Sequence, residues 1–316
     1  MSTDVSQKII LGTRGSELAR VQTAMVAEAL CRAWPMLDLK VEIIKTRGDE
    51  RGVESNETVD PRAGRKGLFT GEIERVLAAG EIDVAIHSAK DLPSDTTPGL
   101  EVGSVLPRAA VDDILIRKTP GGLGDFPRGG VVATGSVRRQ HQLRWKCPGI
   151  KIVDLRGNVP TRLRKLISNE WEAIVLARAG VERLRHDLST GFFVFEGATL
   201  YVKILSSDEF LPAGGQGVIA LQVRSDDEKT KAIVERVNDP GTFLSLRAER
   251  EFLRLLQGDC DSPVGVLGTI EKKAFKLRAQ IFEPGQLEPR AGAVEGSVED
   301  GAERLAAELM EQINAG

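Results

Sequence analysis

The sequence reads as an α/β protein with an α+β domain at its C-terminal end, and three observations carry that reading. Strand-like runs at 9–12, 39–45, 82–87, 113–117, 130–134, 150–155 and 172–177 alternate with helical patterns at about 17–32, 69–79, 137–145, 160–169 and 180–186, the rhythm of helices connecting neighbouring strands of parallel sheets. Three of the strand-to-helix turns deliver arginine to a helix start. From about residue 240 the rhythm changes to one helix, three strand-like stretches and a last helix, the pattern of an antiparallel sheet.

The first arginine turn follows Ile9-Ile10-Leu11. Gly12-Thr13-Arg14-Gly15-Ser16 leads into an amphipathic stretch from Glu17 to about Leu30, so Ser16 is the predicted N-cap, with Arg14 beside it. The second runs from Val131 to Ala133 through Thr134-Gly135-Ser136; with Ser136 as cap, Arg138 and Arg139 fall in the first helical turn. The third follows Ile152-Val153-Asp154-Leu155, where Pro160 suits the first helical position and Arg156 and Arg162 bracket the helix start. Between the second unit's strands, Thr119 to Gly130 is a Gly/Pro-rich loop, and Leu106-Pro107 marks a boundary before it. Leu211-Pro212-Ala213-Gly214-Gly215-Gln216-Gly217 then runs into a strand-like stretch at 218–223. The last domain opens with a helix from Phe243 to Gln257 that buries Leu244, Ala248, Phe252 and Leu255, with Gly258 as its stop. Strands at 264–270, 274–282 and 287–294 and a helix from Val298 to about Ile313 complete it.

A cation at a helix N-terminus opposes the macrodipole by about 0.3–1 kcal/mol. A chain that repeats the arrangement three times implies a compensating anion, because free N–H groups, a capping hydroxyl and guanidinium forks together bind carboxylates or phosphates. Pairing of these arginines with ordinary Asp or Glu is the alternative. The net charge of -3 makes the arginines a local concentration in a mildly acidic protein. With three Trp and one Tyr for stacking, it argues against nucleic acid and for a small polyacid. The N-terminal residues lack the pattern of an export signal and no apolar run approaches membrane-spanning length, so no membrane role and a cytoplasmic location are expected. Cys31, Cys147 and Cys260 and the three histidines, His87, His141 and His186, are scattered, which predicts neither disulfides nor a metal site.

Two further segments bear chemistry. Asp83 to His87 reads as a strand ending in a turn that presents Ser88, Lys90 and Asp91, and such strand ends are where α/β sheets bind ligands. Beside an anion site, Asp91 is a candidate for proton transfer or for stabilising a cation. Cys260 sits in a polar loop, Gly258-Asp259-Cys260-Asp261-Ser262, either as a spacer or as a reactive thiol.

These segments resemble, in order and over essentially the whole chain, the porphobilinogen deaminase (hydroxymethylbilane synthase) family. The landmarks are Gly12 to Ser16, Thr46 to Asp49, Lys66 to Phe69, His87 to Pro93, Arg138-Arg139-Gln140, Leu155 to Val159, Gly215-Gln216-Gly217 and the Cys260 loop. The resemblance implies two periplasmic-binding-protein-like lobes with mixed, mainly parallel sheets, residues 1–107 with 209–238 and residues 108–208, plus an α+β domain over 239–316 with a three-stranded antiparallel sheet. It implies a dipyrromethane cofactor held by a thioether to Cys260, on which four porphobilinogen units are joined head to tail before the linear tetrapyrrole is released by hydrolysis. Carried over position by position, Asp91 is catalytic. Ser88, Lys90, Thr134, Ser136, Arg138, Arg139 and Arg156 hold the cofactor. Arg14, Ser16, Phe69, Arg156, Arg162 and Gln216 bind substrate, and Lys66 belongs to a lid. The resemblance further implies a monomer whose product passes to uroporphyrinogen-III synthase. The chain departs from the family pattern at Asp259, where glycine is common, and at Gly135, where serine is common. A solute-binding receptor with two α/β lobes and an arginine-rich RNA-binding protein are the competing readings.

Overall fold

In the computed structural model the protein is described over residues 8–45, 67–256 and 263–315. The chain starts with β1 (Lys8–Arg14), α1 (Glu17–Ala33), β2 (Asp38–Ile44), α2 (Gly67–Ala78), β3 (Val84–Ser88), the 3-10 turn Ala89–Asp91 and β4 (Leu100–Val105). It continues through β5 (Asp113–Arg117), β6 (Val131–Ala133), α3 (Val137–Lys146), β7 (Lys151–Val153), α4 (Val159–Ser168), β8 (Ala173–Ala177), α5 (Arg178–Arg183), β9 (Phe192–Phe195) and β10 (Ala198–Leu205). After β11 (Ile219–Arg224) and α6 (Glu228–Glu235) come α7 (Pro240–Leu255), β12 (Val264–Glu271), β13 (Ala274–Ile281), β14 (Arg290–Ser297) and α8 (Ala302–Ala315). Two compact units result: residues 1–108 with 218–244, and residues 109–217 with 245–316.

The first unit's sheet runs β2-β1-β3-β11-β4. Its β1–β2 and β1–β3 pairs are parallel, and β11 is antiparallel to both its neighbours. One face packs Ile9, Leu11, Val84, Ile86 and Leu221 against Val26 and Leu30 of α1 and Ile233 and Val234 of α6. The other face packs Ala85 against Ile73, Val76 and Leu77 of α2.

The second unit repeats the scheme in β7-β6-β8-β5-β10, extended by β9. Its β6–β7 and β6–β8 pairs are parallel, and β5 is antiparallel to β8 and β10. In the first sheet the strand that breaks the parallel run, β11, returns after the second unit's strands; in the second it is β5, the unit's own first strand. Ile114, Ile116, Ile174 and Leu176 meet Leu163 and Leu166 of α4 on one face. Leu115, Val132 and Val175 meet Leu143 of α3 on the other. The same unit holds the antiparallel sheet β12-β13-β14, on which α8 buries Leu305, Leu309 and Ile313.

The sheets are mixed, with a smaller parallel share than the alternation alone predicts. Strands β4, β9 and β10, which the periodicity does not reveal, all form antiparallel pairs. In β4, Gly103 interrupts the apolar pattern because a Cβ there would lie 2.8 Å from Val223 Cγ2. The β9–β10 turn uses Glu196 and Gly197, both with positive φ, the backbone of a tight primed hairpin turn. Helix α7 starts three residues earlier than expected, and its buried face is Ser245, Leu246, Ala248, Glu249 and Phe252. Leu255, expected inside, is exposed, whereas Glu249 is buried and accepts from Gly215 N at 2.6 Å and Gly268 N at 2.8 Å.

Candidate active site

In the first unit, β1 and β3 are parallel neighbours, so Arg14 and Ser88 end at the same edge of the sheet. Ser16 caps α1 as expected, its Oγ accepting from Ala19 N at 3.3 Å. Ser88 Oγ is engaged with Gln22 of α1, accepting from Nε2 at 2.9 Å. The 3-10 turn beyond it is pinned at both ends: Ala89 and Leu92 are buried, and Ala89 N donates to Val218 O at 3.0 Å. Lys90 and Asp91 stand half-buried between those anchors. Among the described residues the Asp91 carboxylate has no ion-pair or hydrogen-bond partner, so its acceptor capacity is uncommitted. His87, one residue before Ser88, is a local hydrogen-bonding residue. Gln222 Nε2 donates to Glu74 Oε1 at 2.8 Å, which turns its own Oε1 to accept from His87 Nε2 at 3.0 Å.

In the second unit the carboxyl ends of β7, β6 and β8 form one edge, the location where open α/β sheets bind ligands. Asp113 opens the antiparallel β5 opposite Ala177 and therefore lies at that edge too. Ser136 caps α3 through Arg139 N. Thr134 serves the same turn, its Oγ1 accepting from Ser136 N at 3.3 Å. Gly135 is required by close approach, since a Cβ would sit 2.6 Å from Leu155 O. Asn158 caps α4 and Val159 precedes Pro160 in its first turn. Arg162 Nε donates to Gly157 O at 2.6 Å.

The arginines expected to face ligand divide into two groups. Arg138 and Arg139 are buried, at 3% and 5% exposure. Arg138 Nη2 donates to Asp113 Oδ2 at 2.8 Å and Arg139 Nη2 to Asp113 Oδ1 at 2.7 Å, while Gln216 Nε2 donates to Asp113 Oδ1 at 2.9 Å. Burial alone would raise the Asp113 carboxyl, but the Arg138 and Arg139 charges and the hydrogen bonds from Arg139 and Gln216 outweigh it and hold it well below the usual carboxylate range. Burial lowers the Arg138 guanidinium, against the opposing pull of Asp113. Arg156, by contrast, is exposed and pairs with Asp154 at 2.6 Å, an ordinary surface ion pair.

Two residues that periodicity does not single out belong to this edge. Asp113 looks in sequence like one of two acids before an apolar run. Arg183, at the end of α5, donates from Nη2 to Gly217 O at 2.7 Å, and its Nε is buried without a hydrogen-bond partner. No acid faces it among the described residues, and burial lowers its guanidinium to about 10. No local sequence signal separates it from any other helical arginine. Lys66 and Cys260 lie outside the described residues, and for Phe69 only the backbone, in the first turn of α2, is described.

Each of the two α/β units thus carries charged side chains at the carboxyl edge of its sheet, Arg14 and Asp91 in the first and Arg138, Arg139 and Arg183 in the second, the edge at which open α/β sheets bind ligands. A profile described as porphobilinogen deaminase, dipyromethane cofactor binding domain, matches residues 9–232, and one described as its C-terminal domain matches residues 243–315. The chain belongs to the porphobilinogen deaminase family. Porphobilinogen deaminase of Roseiflexus sp. is 42% identical over 88% of this chain and 86% of its own length. That of Moorella thermoacetica is 38% identical over 93% and 89%, and that of Thermus thermophilus 38% identical over 96% and 95%.

Proposed function

We propose that the chain deaminates porphobilinogen and joins four units head to tail on a covalent dipyrromethane primer, releasing hydroxymethylbilane by hydrolysis for porphyrin and heme biosynthesis. The observation that carries the reading is the pairing of family membership with an uncommitted Asp91 on a turn anchored by Ala89 and Leu92. A carboxylate on an anchored turn and without a partner among the described residues is suited to assist loss of ammonia and to steady the resulting cation and pyrrole N–H groups.

The residues present fit the cofactor. Nε atoms of Arg138, Arg139 and Arg183 are buried donors without an acceptor among the described residues, and the acetate and propionate of each pyrrole are acceptors of the matching charge. By the resemblance to the family, Ser88, Lys90, Thr134, Ser136, Arg138, Arg139 and Arg156 would hold the group. When bound, the dipyrromethane supplies the nucleophilic pyrrole carbon on which the chain is extended. Arg14, Ser16, Phe69, Arg156, Arg162 and Gln216, with Arg183, orient incoming substrate, the arginines by its carboxylates. Lys66 belongs to the lid and Cys260 is the point of attachment. In this reading residues 1–107 with 209–238, 108–208 and 239–316 remain three functional parts, and the protein acts as a cytoplasmic monomer that passes its product to uroporphyrinogen-III synthase. Among the described residues no helix is long and apolar enough to cross a membrane.

Intact mass and turnover test the reading together. Purified protein should carry the mass of two linked pyrroles, Cys260→Ser should lack it, and the wild type should consume porphobilinogen. Wild-type protein without that mass, or without porphobilinogen consumption, would sink the proposal and favour a binding protein.

A further inference from the structure

Asp113 touches none of the groups proposed to react, yet it is the most heavily engaged carboxylate at the second unit's edge. It has no exposure, and its two oxygens take three donors, from Arg138, Arg139 and Gln216. The far ends of both guanidiniums are fixed as well: Arg138 Nη1 donates to Leu211 O at 2.7 Å and Arg139 Nη1 to Val175 O at 2.9 Å. The two planes are thereby held side by side from four directions. An ion pair that served only the fold would be neutral, because uncompensated buried charge is strongly destabilising. Here two guanidiniums share one carboxylate, Gln216 adds a donor and no charge, and the cluster keeps one positive charge. Neighbouring acids are committed elsewhere, Asp112 to Arg178 at 3.5 Å and Asp154 to Arg156 at 2.6 Å. Among the described residues the site is built one anion short.

We infer that Asp113 is a positioning residue: an internal carboxylate that sets Arg138 and Arg139 in register and limits their excess to one positive charge, so that a single carboxylate of the incoming dipyrromethane precursor docks there in one orientation. The inference rests on the proposed function. Asp113 acts through the two arginines, and its effect falls on loading of the cofactor, before any turnover.

Intact mass of the purified protein reads that loading directly. Asp113→Asn should carry about tenfold less of the two-pyrrole adduct than wild type, and Asp113→Glu, with the charge kept but the arginines displaced by one methylene, should fall between them. A second measurement separates positioning from a role in the fold alone. In the cofactor-free Cys260→Ser background, inorganic sulfate should raise the melting temperature at about tenfold lower concentration when Asp113 is also changed to Asn, because one more positive charge is then uncompensated; Glu at that position should restore the weaker response. Equal adduct in wild type and the Asn variant overturns the inference, as does a sulfate response unaffected by the substitution. If the Asn variant does not melt cooperatively, the Glu variant decides: adduct below wild type supports the inference, and full adduct overturns it. Wild type lacking the adduct would instead overturn the proposed function.

Discussion

Arg183 and Gly217 are joined by a 2.7 Å hydrogen bond from Nη2 to the backbone oxygen, the one hydrogen bond of that guanidinium among the described residues. A dipole is a weak substitute for a carboxylate. Burial therefore lowers the group to about 10, and its charge costs folding free energy at neutral pH. Arg183→Leu should raise the melting temperature of the cofactor-free protein by a few degrees, about 1 kcal/mol, while reducing kcat/KM for porphobilinogen. A variant that melts lower than its parent and turns over normally would show that Arg183 serves the fold.

Asp91→Asn should leave the fold and the adduct mass intact and nearly abolish turnover, because the amide keeps the shape and loses the charge that steadies a cation. Asp91→Glu should retain part of the activity. Near-normal porphobilinogen consumption by the Asn variant would remove Asp91 from the catalytic role.

The ligand-facing arginines should separate by stability as well as by stage. Arg138→Leu or Arg139→Leu removes one of the buried donors to Asp113 and leaves the carboxylate paired with the other arginine and Gln216, so each should cost about 1–3 kcal/mol in denaturant unfolding, with loss of the adduct. Arg156→Leu breaks only an exposed pair and should cost less than about 1 kcal/mol, with the adduct kept and elongation impaired; Arg14→Leu should likewise keep the adduct and stall elongation. Equal destabilisation by the three changes at Arg138, Arg139 and Arg156 would contradict the burial difference that separates them.

Gly135→Ser introduces the residue common in the family, yet it should destabilise this chain. Its Cβ would meet the Leu155 carbonyl, a backbone atom that cannot rotate away, at a cost of about 1–3 kcal/mol. An unchanged unfolding midpoint would mean that the 153–156 turn yields.

Asp113 also predicts behaviour in acid. Its folded-state carboxyl is held below the ordinary range, so the unfolded chain takes up the proton first as pH falls. The stabilisation is complete above the unfolded value of about 4 and is lost progressively below it. Melting temperature should drop with pH in that window, and Asp113→Asn should remove that part of the slope.

Much of the architecture was legible in the chain. Apolar periodicity located most core helices and strands to within a few residues, though not α6, which packs Ile233 and Val234 into the first core; Ser16 and Ser136 were recognisable as caps because a capping hydroxyl acts on donors three residues away. Asp91 was legible for the same reason: it lies a few residues past a buried strand, and strand ends are determined locally. What periodicity could not give was pairing between distant segments. β4 is interrupted by Gly103, and β9 and β10, though rich in apolar residues, do not alternate strictly; β11 and β5 offer edges to β4 and β10, and β10 in turn pairs with β9. The arginine pair is the sharper case. Sequence placed Arg138 and Arg139 in a first helical turn, but their burial against Asp113, twenty-five residues away along the chain from Arg138, follows from the β5–β8 register. Residue type and spacing specify which groups a chain carries, whereas the exposure and charge balance of those groups depend on which distant segments close around them.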